Sequence, residues 1–150
     1  MLLGIDLGGT KIEGIVLKSR ENPEEVIRHR VNTEEEKGYS QVISNIKSLV
    51  DYIESNINHK FSKLGIGTPG TIDPESGLLK NSNSQCLNGM PIQKDLSKVL
   101  NKSILIQNDA NCFALAETLL GSVKDKHPNA KNVFGIIMGA GVGGGVIIDG

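Results

Sequence analysis

The stretch GIDLGGTKIEG, residues 4–14, carries the strongest fold signal in this sequence. Residues 2–5 form a short apolar run typical of a buried strand, and residues 6–10 contain the glycines and the aspartate of a tight turn. Residues 11–18 then alternate between apolar and polar side chains, which indicates a second strand. The stretch therefore predicts a β-hairpin with a glycine tip.

The tip of this hairpin has the composition of an anion-binding turn. Backbone N–H groups of Gly8, Gly9 and Thr10 can point into one concavity, and the missing side chains let a phosphate approach closely. Asp6 precedes the turn and is placed to hold Mg²⁺ or its water shell, because hard cations prefer carboxylate and water oxygens. The alternative is a plain hairpin turn in which Asp6 hydrogen-bonds the turn amides.

Further along the chain, strands and helices alternate. Apolar residues recur at steps of three and four from Tyr39 to Ile57, which predicts an amphipathic helix. The other predicted elements are strands at 26–31, 64–67, 104–107 and 133–138, short extended arms within 71–80, a loop at 81–89, helices at 91–100 and 110–120, and a strand at 146–148. This order predicts an α/β fold in which a mixed sheet carries helices on its faces.

Composition excludes several functional classes. Sixteen Lys and Arg against seventeen Asp and Glu give a net charge of -1, and only 3% of residues are aromatic. Without a basic surface or stacking platforms, we expect no nucleic-acid partner. The sequence has no apolar run long enough to span a bilayer and no signal peptide, so we expect no membrane partner. Two cysteines are too few for a disulfide scaffold, which favours a cytoplasmic location.

Two segments match the pattern G-x-G-x-x-G, at Gly65 to Gly70 and at Gly139 to Gly144. A dinucleotide-binding fingerprint needs a strand, then the glycines, then a helix. The first segment is followed by a turn and the second by a strand, so neither context fits. The loop at 139–145 instead offers a second set of backbone amides between two strands, which can serve as a second phosphate cradle.

Asp109 follows the predicted strand at 104–107 and begins the helix after it. One interpretation is an N-cap that satisfies the free amides of the helix. The other is a general base, because open α/β sheets place ligands at the carboxyl ends of their strands. Neighbouring Asn108 has donors and acceptors for sugar hydroxyls, as do the polar side chains of the 81–89 loop, Asn83 and Asn88 among them.

Taken together, these segments resemble the ROK family of sugar kinases, within the actin-like ATPase fold. The matching blocks are GIDLGGTKIEG at 4–14, GIGTPGTIDPESG at 65–77, NDANCFALAE at 108–117 and GAGVGGGVIIDG at 139–150. The loop KNSNSQCLNGMPIQKDL at 80–96 most resembles the bacterial fructokinase branch of that family. The blocks cover nearly the whole chain.

The resemblance implies a ribonuclease H-like lobe and transfer of a phosphoryl group from ATP, with Mg²⁺, to the 6-hydroxyl of a hexose, most closely fructose. Asp109 would be the catalytic base, and the sugar would contact Gly70, Thr71, Asn83, Asn88 and Asn108. The first phosphate site would consist of Asp6, Gly8, Gly9, Thr10 and Lys11. Asp6 would also bind the metal ion. The second phosphate site would consist of Gly139, Gly141 and Gly143.

The sequence departs from the family pattern in two respects. Ala140 stands where members usually have Thr, which removes a hydroxyl contact to phosphate. The family also continues for about as many residues again, with an E-x-G-H segment and a zinc motif that lie outside this chain. We therefore expect a lobe at 1–120, a connector at 121–132 and the first hairpin of a truncated second lobe at 133–150. A homodimer is implied for the full-length protein.

The sequence alone is compatible with other functions. A glucokinase or an N-acetylhexosamine kinase of the same family is the alternative enzyme, and a non-catalytic sugar- or nucleotide-binding module is the alternative from another class. A repressor would need a DNA-binding helix-turn-helix before the first strand. Because Met1 leads directly into that strand, we do not expect a repressor.

Overall fold

The computed structural model describes residues 1–138 and 142–150 and has an α/β architecture. In chain order the elements are β1 (Leu2–Leu7), β2 (Lys11–Leu17), β3 (Glu25–Asn32), α1 (Tyr39–Ile57), β4 (Lys63–Thr68), β5 (Thr71–Ile72), β6 (Leu79–Lys80), α2 (Ile92–Leu100), β7 (Ser103–Asn108), α3 (Asp109–Leu119), α4 (Ser122–Lys126), β8 (Val133–Met138) and β9 (Val142–Ile147). Short 3₁₀ turns lie at Glu35–Lys37 and Gln85–Leu87. The predicted helix at 39–57 is confirmed.

A five-stranded sheet in the order β3-β2-β1-β4-β7 forms the centre of the first part of the chain. Strand β2 pairs antiparallel with both β1 and β3, whereas β1 pairs in parallel with β4. The mixed sheet predicted from the element order is therefore confirmed. Its parallel pair matters for function, because the carboxyl ends of β1 and β4 lie at the same edge.

Helix α1 covers one face of this sheet. The register of β1 with β2 places Leu3 beside Val16 and Leu7 beside Ile12, and all four side chains are buried. The apolar stripe of α1 packs on them and is itself fully buried at Ile46, Leu49 and Ile53. A Cβ on Gly14 would lie 2.5 Å from Cδ1 of Ile53, so a glycine at this position lets α1 approach β2 closely.

The chain divides into two compact units, Met1–Gln107 and Asn108–Gly150. Helix α3 packs on the β8–β9 hairpin within the second unit, and the lobe expected at 1–120 stays a prediction. Ala110 and Ala114 are the buried residues of α3. Small residues on both elements let α3 approach β8 closely, because a Cβ on Gly135 would lie only 3.0 Å from Cβ of Ala114.

The segment expected to be a connector, 121–132, contains the short helix α4. The last strand also differs from the prediction, because β9 begins at Val142 and not at Val146. Gly143, Gly144 and Gly145 are strand residues that pair with Ile137, Ile136 and Gly135. An apolar pattern cannot reveal a strand through three glycines, because its pairing is made by backbone atoms alone.

Candidate functional site

The glycine turn between β1 and β2 is fixed by backbone hydrogen bonds. The Gly8 amide donates to the carbonyl oxygen of Lys11 at 3.0 Å, which closes the turn. Thr33 is fully buried beneath it, and its hydroxyl donates to the Gly8 carbonyl at 2.7 Å while its amide donates to the Thr10 carbonyl at 2.9 Å. Sequence analysis missed Thr33, whose only signal was its position just after a strand.

The residues predicted for the first phosphate and metal site are accessible at this turn. Asp6, Gly9, Thr10 and Lys11 are exposed, and Gly8 is half-buried. Asp6 lies at the end of β1, paired across the sheet with Glu13 of β2. The carboxylate of Asp6 next to a glycine turn suits Mg²⁺, which keeps several water ligands and takes others from phosphate oxygens. The residues present therefore fit a magnesium–nucleotide complex.

Glu13 is tied to strand β3 by Arg28 and Arg30. Both guanidinium groups form ion pairs with its carboxylate, of which only 17% is exposed. Partial burial opposes ionisation, but hydrogen bonds from Arg30 and Arg28 outweigh it and hold the pKa of Glu13 below its usual range. The negative charge next to Asp6 is thereby compensated within the sheet.

Gly70 packs against the loop that follows β6. Its φ of +86° is in the left-handed region. A Cβ at this position would overlap the Lys80 carbonyl oxygen and lie 2.9 Å from the Ser82 nitrogen. Thr71 pairs with Lys80 in the small β5–β6 sheet. Two of the residues predicted to contact the sugar are therefore held next to the segment that carries a third, Asn83.

Asn88 shapes the loop around Asn83. The Ser82 amide donates to Oδ1 of Asn88, and Nδ2 of Asn88 donates to the Ser82 carbonyl, both at 2.9 Å. Ser82 is buried, whereas Asn83 is exposed. The side-chain amide of Asn88 thus bonds the backbone of Ser82 as a paired strand would, and it fixes the position of the residue before Asn83.

A cavity of about 610 Å³ opens beside this loop. It is lined by Asp73, Ser76, Leu78, Leu79, Lys80, Asn81, Ser82, Asn83, Gln85, Asn88 and Gly89. Amides from Glu75 and Ser76 donate to Oδ1 of Asp73 at 3.0 Å, and Lys80 forms an ion pair with the same carboxylate. The hydrogen bond from Lys80, followed by those from the two amides, holds the pKa of Asp73 well below its usual range.

The glycine turn lies next to the loop at 81–89, called here the sugar loop, and the two segments approach each other at Gly9 and Ser84. A Cβ on Gly9 would lie 3.4 Å from Oγ of Ser84 and 3.6 Å from Oε2 of Glu35. Ser84 follows Asn83 and is buried. The predicted phosphate turn and the predicted sugar loop are therefore neighbours within one compact unit, with space for little more than a methyl group between Gly9 and Ser84.

Asn108, and not Asp109, is the N-cap of α3. Oδ1 of Asn108 accepts hydrogen bonds from the amides of Ala110 at 3.1 Å and Asn111 at 3.3 Å. Asp109 is the first helical residue, half-buried, and its Oδ1 accepts from the Ala110 amide at 2.8 Å. Asn108 holds the N-cap position because it has the extended backbone and the oxygen that a cap needs, while Asp109 also accepts one free amide of the first turn.

The second predicted phosphate loop spans residues 139–145. Gly139 and Gly141, together with Ala140, lie outside the described residues. Gly143 is part of β9, and a Cβ there would lie 3.4 Å from Cβ of Ala110. Gly145 is buried, and a Cβ there would overlap the Ala110 carbonyl. Close packing under α3 explains these two glycines without a ligand, and the phosphate role of Gly143 stays a prediction.

Residues 1–138 and 142–150 contain no group of three or more His, Cys, Asp or Glu side chains arranged to hold a metal ion. Neither do they contain a helix with the length and apolar character needed to cross a membrane.

This chain is similar in sequence and in structure to several sugar kinases. The N-acetyl-D-glucosamine kinases of Aliivibrio fischeri and Mannheimia succiniciproducens are 39% and 37% identical to this chain over 150 residues, which is 100% of the chain and 47% of each relative. The ROK hexokinase of Thermus thermophilus is 28% identical with a TM-score of 0.80, over 99% of this chain and 47% of that one.

The crystal structure of an inorganic polyphosphate/ATP-glucomannokinase from Arthrobacter sp. strain KM superposes on this chain with a TM-score of 0.78. The two sequences are 26% identical, and the match covers 99% of this chain and 58% of that one. The expected actin-like ATPase fold is confirmed by these neighbours. The chain spans about half the length of the curated relatives it matches. The model of the ROK family matches residues 2–150, and the chain therefore belongs to that family.

Proposed function

We propose that this chain forms the hexose site and the first phosphate site of an ATP-dependent hexose kinase. The observation that carries the proposal is that the phosphate turn at Gly9 lies next to the sugar loop at Ser84, so close that a Cβ on Gly9 would reach 3.4 Å from Oγ of Ser84. Phosphoryl transfer requires a sugar hydroxyl to lie next to the terminal phosphate, so these two sites must adjoin. The names of the family relatives support ATP and a sugar as the two substrates.

Asp109 is the proposed general base. Its Oδ1 accepts the Ala110 amide, which fixes the carboxylate, and Oδ2 accepts no hydrogen bond from any residue that the structure describes. Oδ2 would then take the proton of the 6-hydroxyl as that oxygen attacks the terminal phosphorus of ATP. Asn108 supports this role because its Oδ1 caps the amides of Ala110 and Asn111, so Asp109 uses only one of its two oxygens at the helix start.

The glycine turn is proposed to bind the phosphates. Backbone amides at Gly9 and Thr10 would donate to phosphate oxygens, and the buried Thr33 keeps the turn in shape. Asp6 would orient the water shell of Mg²⁺. When bound, that ion supplies neutralisation of the negative charge on the transferred phosphoryl group.

The proposed substrate is N-acetylglucosamine, because the relatives that match the whole chain at 37–39% identity bear that name. Fructose is the second candidate, since the loop at 80–96 resembles the fructokinase branch of the family. Homodimerisation, a cytoplasmic location and a second phosphate site around Gly143 remain predictions. The domain bounds at 1–120, 121–132 and 133–150 also remain predictions.

A coupled ADP-release assay on the full-length protein tests this function. Mg-ATP is supplied with N-acetylglucosamine, glucose, mannose or fructose in separate reactions. We expect ADP release that depends on the sugar, highest with N-acetylglucosamine. Absence of sugar-dependent ADP release, with sugar binding retained in calorimetry, would favour the non-catalytic binding module.

A further inference from the structure

The cavity beside the sugar loop is not used by the proposed mechanism. Its volume of about 610 Å³ falls within the usual range of small-ligand sites, roughly 300–1,000 Å³. Asn83, a candidate sugar contact, lines it, and Gly70 packs on the backbone of its wall at Lys80 and Ser82. A hexose held by Asn83 and Gly70 would therefore have room on one side for a substituent.

The lining indicates what kind of substituent would fit. Its charged side chains, Asp73 and Lys80, neutralise each other as an ion pair, so the cavity offers no net charge to a carboxylate or phosphate. Lys80 has three N–H donors, of which Asp73 takes one. Leu78 is half-buried and adds apolar surface. A neutral group with one acceptor oxygen and a small apolar end matches this combination.

We propose that this cavity is a subsite for the acylamino group of a 2-acylamino-2-deoxyhexose. The carbonyl oxygen of the acyl group accepts a hydrogen bond from Nζ of Lys80, and its methyl group packs on Leu78. Asp73 keeps the Lys80 ammonium in place. The inference rests on the proposed hexose kinase function and extends it, because it assigns the choice among hexoses to Lys80 and Leu78.

The first test replaces Lys80 with methionine, which keeps the aliphatic stem and removes the donor. In the full-length protein, Lys80→Met should lower kcat/KM for N-acetylglucosamine about tenfold or more, because a hydrogen bond from a charged donor is lost. The value for glucose, which has no acyl group, should change less than about twofold. Lys18→Met is the matched control: Lys18 also pairs with a carboxylate, is similarly exposed, and does not line the cavity.

The second test fills the cavity. Leu78→Phe narrows it and should raise the KM for N-acetylglucosamine while leaving the KM for glucose unchanged. Calorimetric titration of each sugar without nucleotide should show the same selectivity in Kd, which separates a subsite from a general effect on folding or catalysis.

The outcomes separate the two proposals. A selective loss with N-acetylglucosamine in both variants supports the subsite. Equal losses with both sugars, or no change with either, overturn the subsite and leave the kinase function intact. A wild-type protein that phosphorylates no hexose overturns the kinase function and the subsite together.

Discussion

Glu54 is a buried carboxylate near the end of α1, with 2% of its side chain exposed. Lys102 and Lys60 form ion pairs with it at 2.7 and 2.8 Å, and the Phe61 amide donates to it at 2.8 Å. Burial opposes ionisation, but these three partners outweigh it and lower the pKa of Glu54 to about 2. The residue ties α1 to the segments that precede β4 and β7.

Glu54→Gln should therefore destabilise the chain. The lowered pKa corresponds to about 3 kcal/mol of unfolding free energy at pH 7, which urea denaturation would measure as a loss in the variant. Because the pKa of Glu54 is lower in the folded chain than in the unfolded one, this contribution is complete above pH 4.5 and is lost as the pH falls towards 2.

The pH dependence provides the sharper check. The difference between wild type and Glu54→Gln should shrink markedly between pH 7 and pH 3. Glu36→Gln, at an exposed position, is the control and should stay within about 0.5 kcal/mol of wild type at either pH. A Glu54→Gln difference that is equally large at pH 3 would contradict the role assigned to its ion pairs.

Among structural elements, the β5–β6 hairpin and the loop after it show how backbone packing shapes the sugar site. Gly70→Ala would introduce a Cβ that collides with the Lys80 backbone, at a left-handed φ. We predict at least a tenfold rise in the KM for the sugar, with a smaller effect on the KM for ATP, measured by ADP release in the full-length protein.

Gly77→Ala is the matched control for Gly70→Ala. Gly77 also has a positive φ, of +72°, but a Cβ there would meet no atom within 4 Å. Both variants therefore place an alanine at a left-handed φ, but only Gly70→Ala makes its Cβ collide with the Lys80–Ser82 backbone. An equal rise in sugar KM in both would mean that the contact between Gly70 and the Lys80–Ser82 backbone has no part in sugar binding.

Close packing between helix α3 and the β8–β9 hairpin depends on the glycines of β9. Gly145→Ala would drive a methyl group into the Ala110 backbone, one residue from Asp109. We expect a lower unfolding temperature and a lower kcat, because the helix start must shift. A Cβ on Gly144 would lie 3.2 Å from the exposed ring of Phe134, which can shift, and 3.8 Å from the Gly135 carbonyl oxygen, which is an ordinary contact, so Gly144→Ala should preserve both quantities.

Elements with a periodic apolar pattern were predictable from the sequence, and α1 is the clearest example. Asp6 and the residues of the glycine turn were predicted as a group because their chemistry is local. The N-cap at Asn108 and the strand through Gly143 to Gly145 were not, since the first depends on backbone angles at one residue and the second on pairing with β8. The cavity at Lys80 required the tertiary packing of Gly70, which no pattern encodes.

At the scale of the whole molecule, the chain matches about half the length of its relatives, and its two compact units carry the proposed roles separately. The turn and the sugar loop lie in Met1–Gln107, and the proposed base lies in Asn108–Gly150. The resemblance adds an E-x-G-H segment to the sugar site of the family. We therefore predict that the 150-residue chain assayed alone releases no ADP in a sugar-dependent manner. Turnover by that chain would contradict this prediction.

In the proposed mechanism, Asp109 removes the proton from a sugar hydroxyl. The most direct measurement compares kcat and sugar Kd of Asp109→Asn with those of wild type in the full-length protein, with Asp125→Asn of α4 as the control. We predict that Asp109→Asn lowers kcat by about 100-fold or more while the sugar Kd changes little, and that Asp125→Asn alters neither. Unchanged turnover in Asp109→Asn would contradict the account.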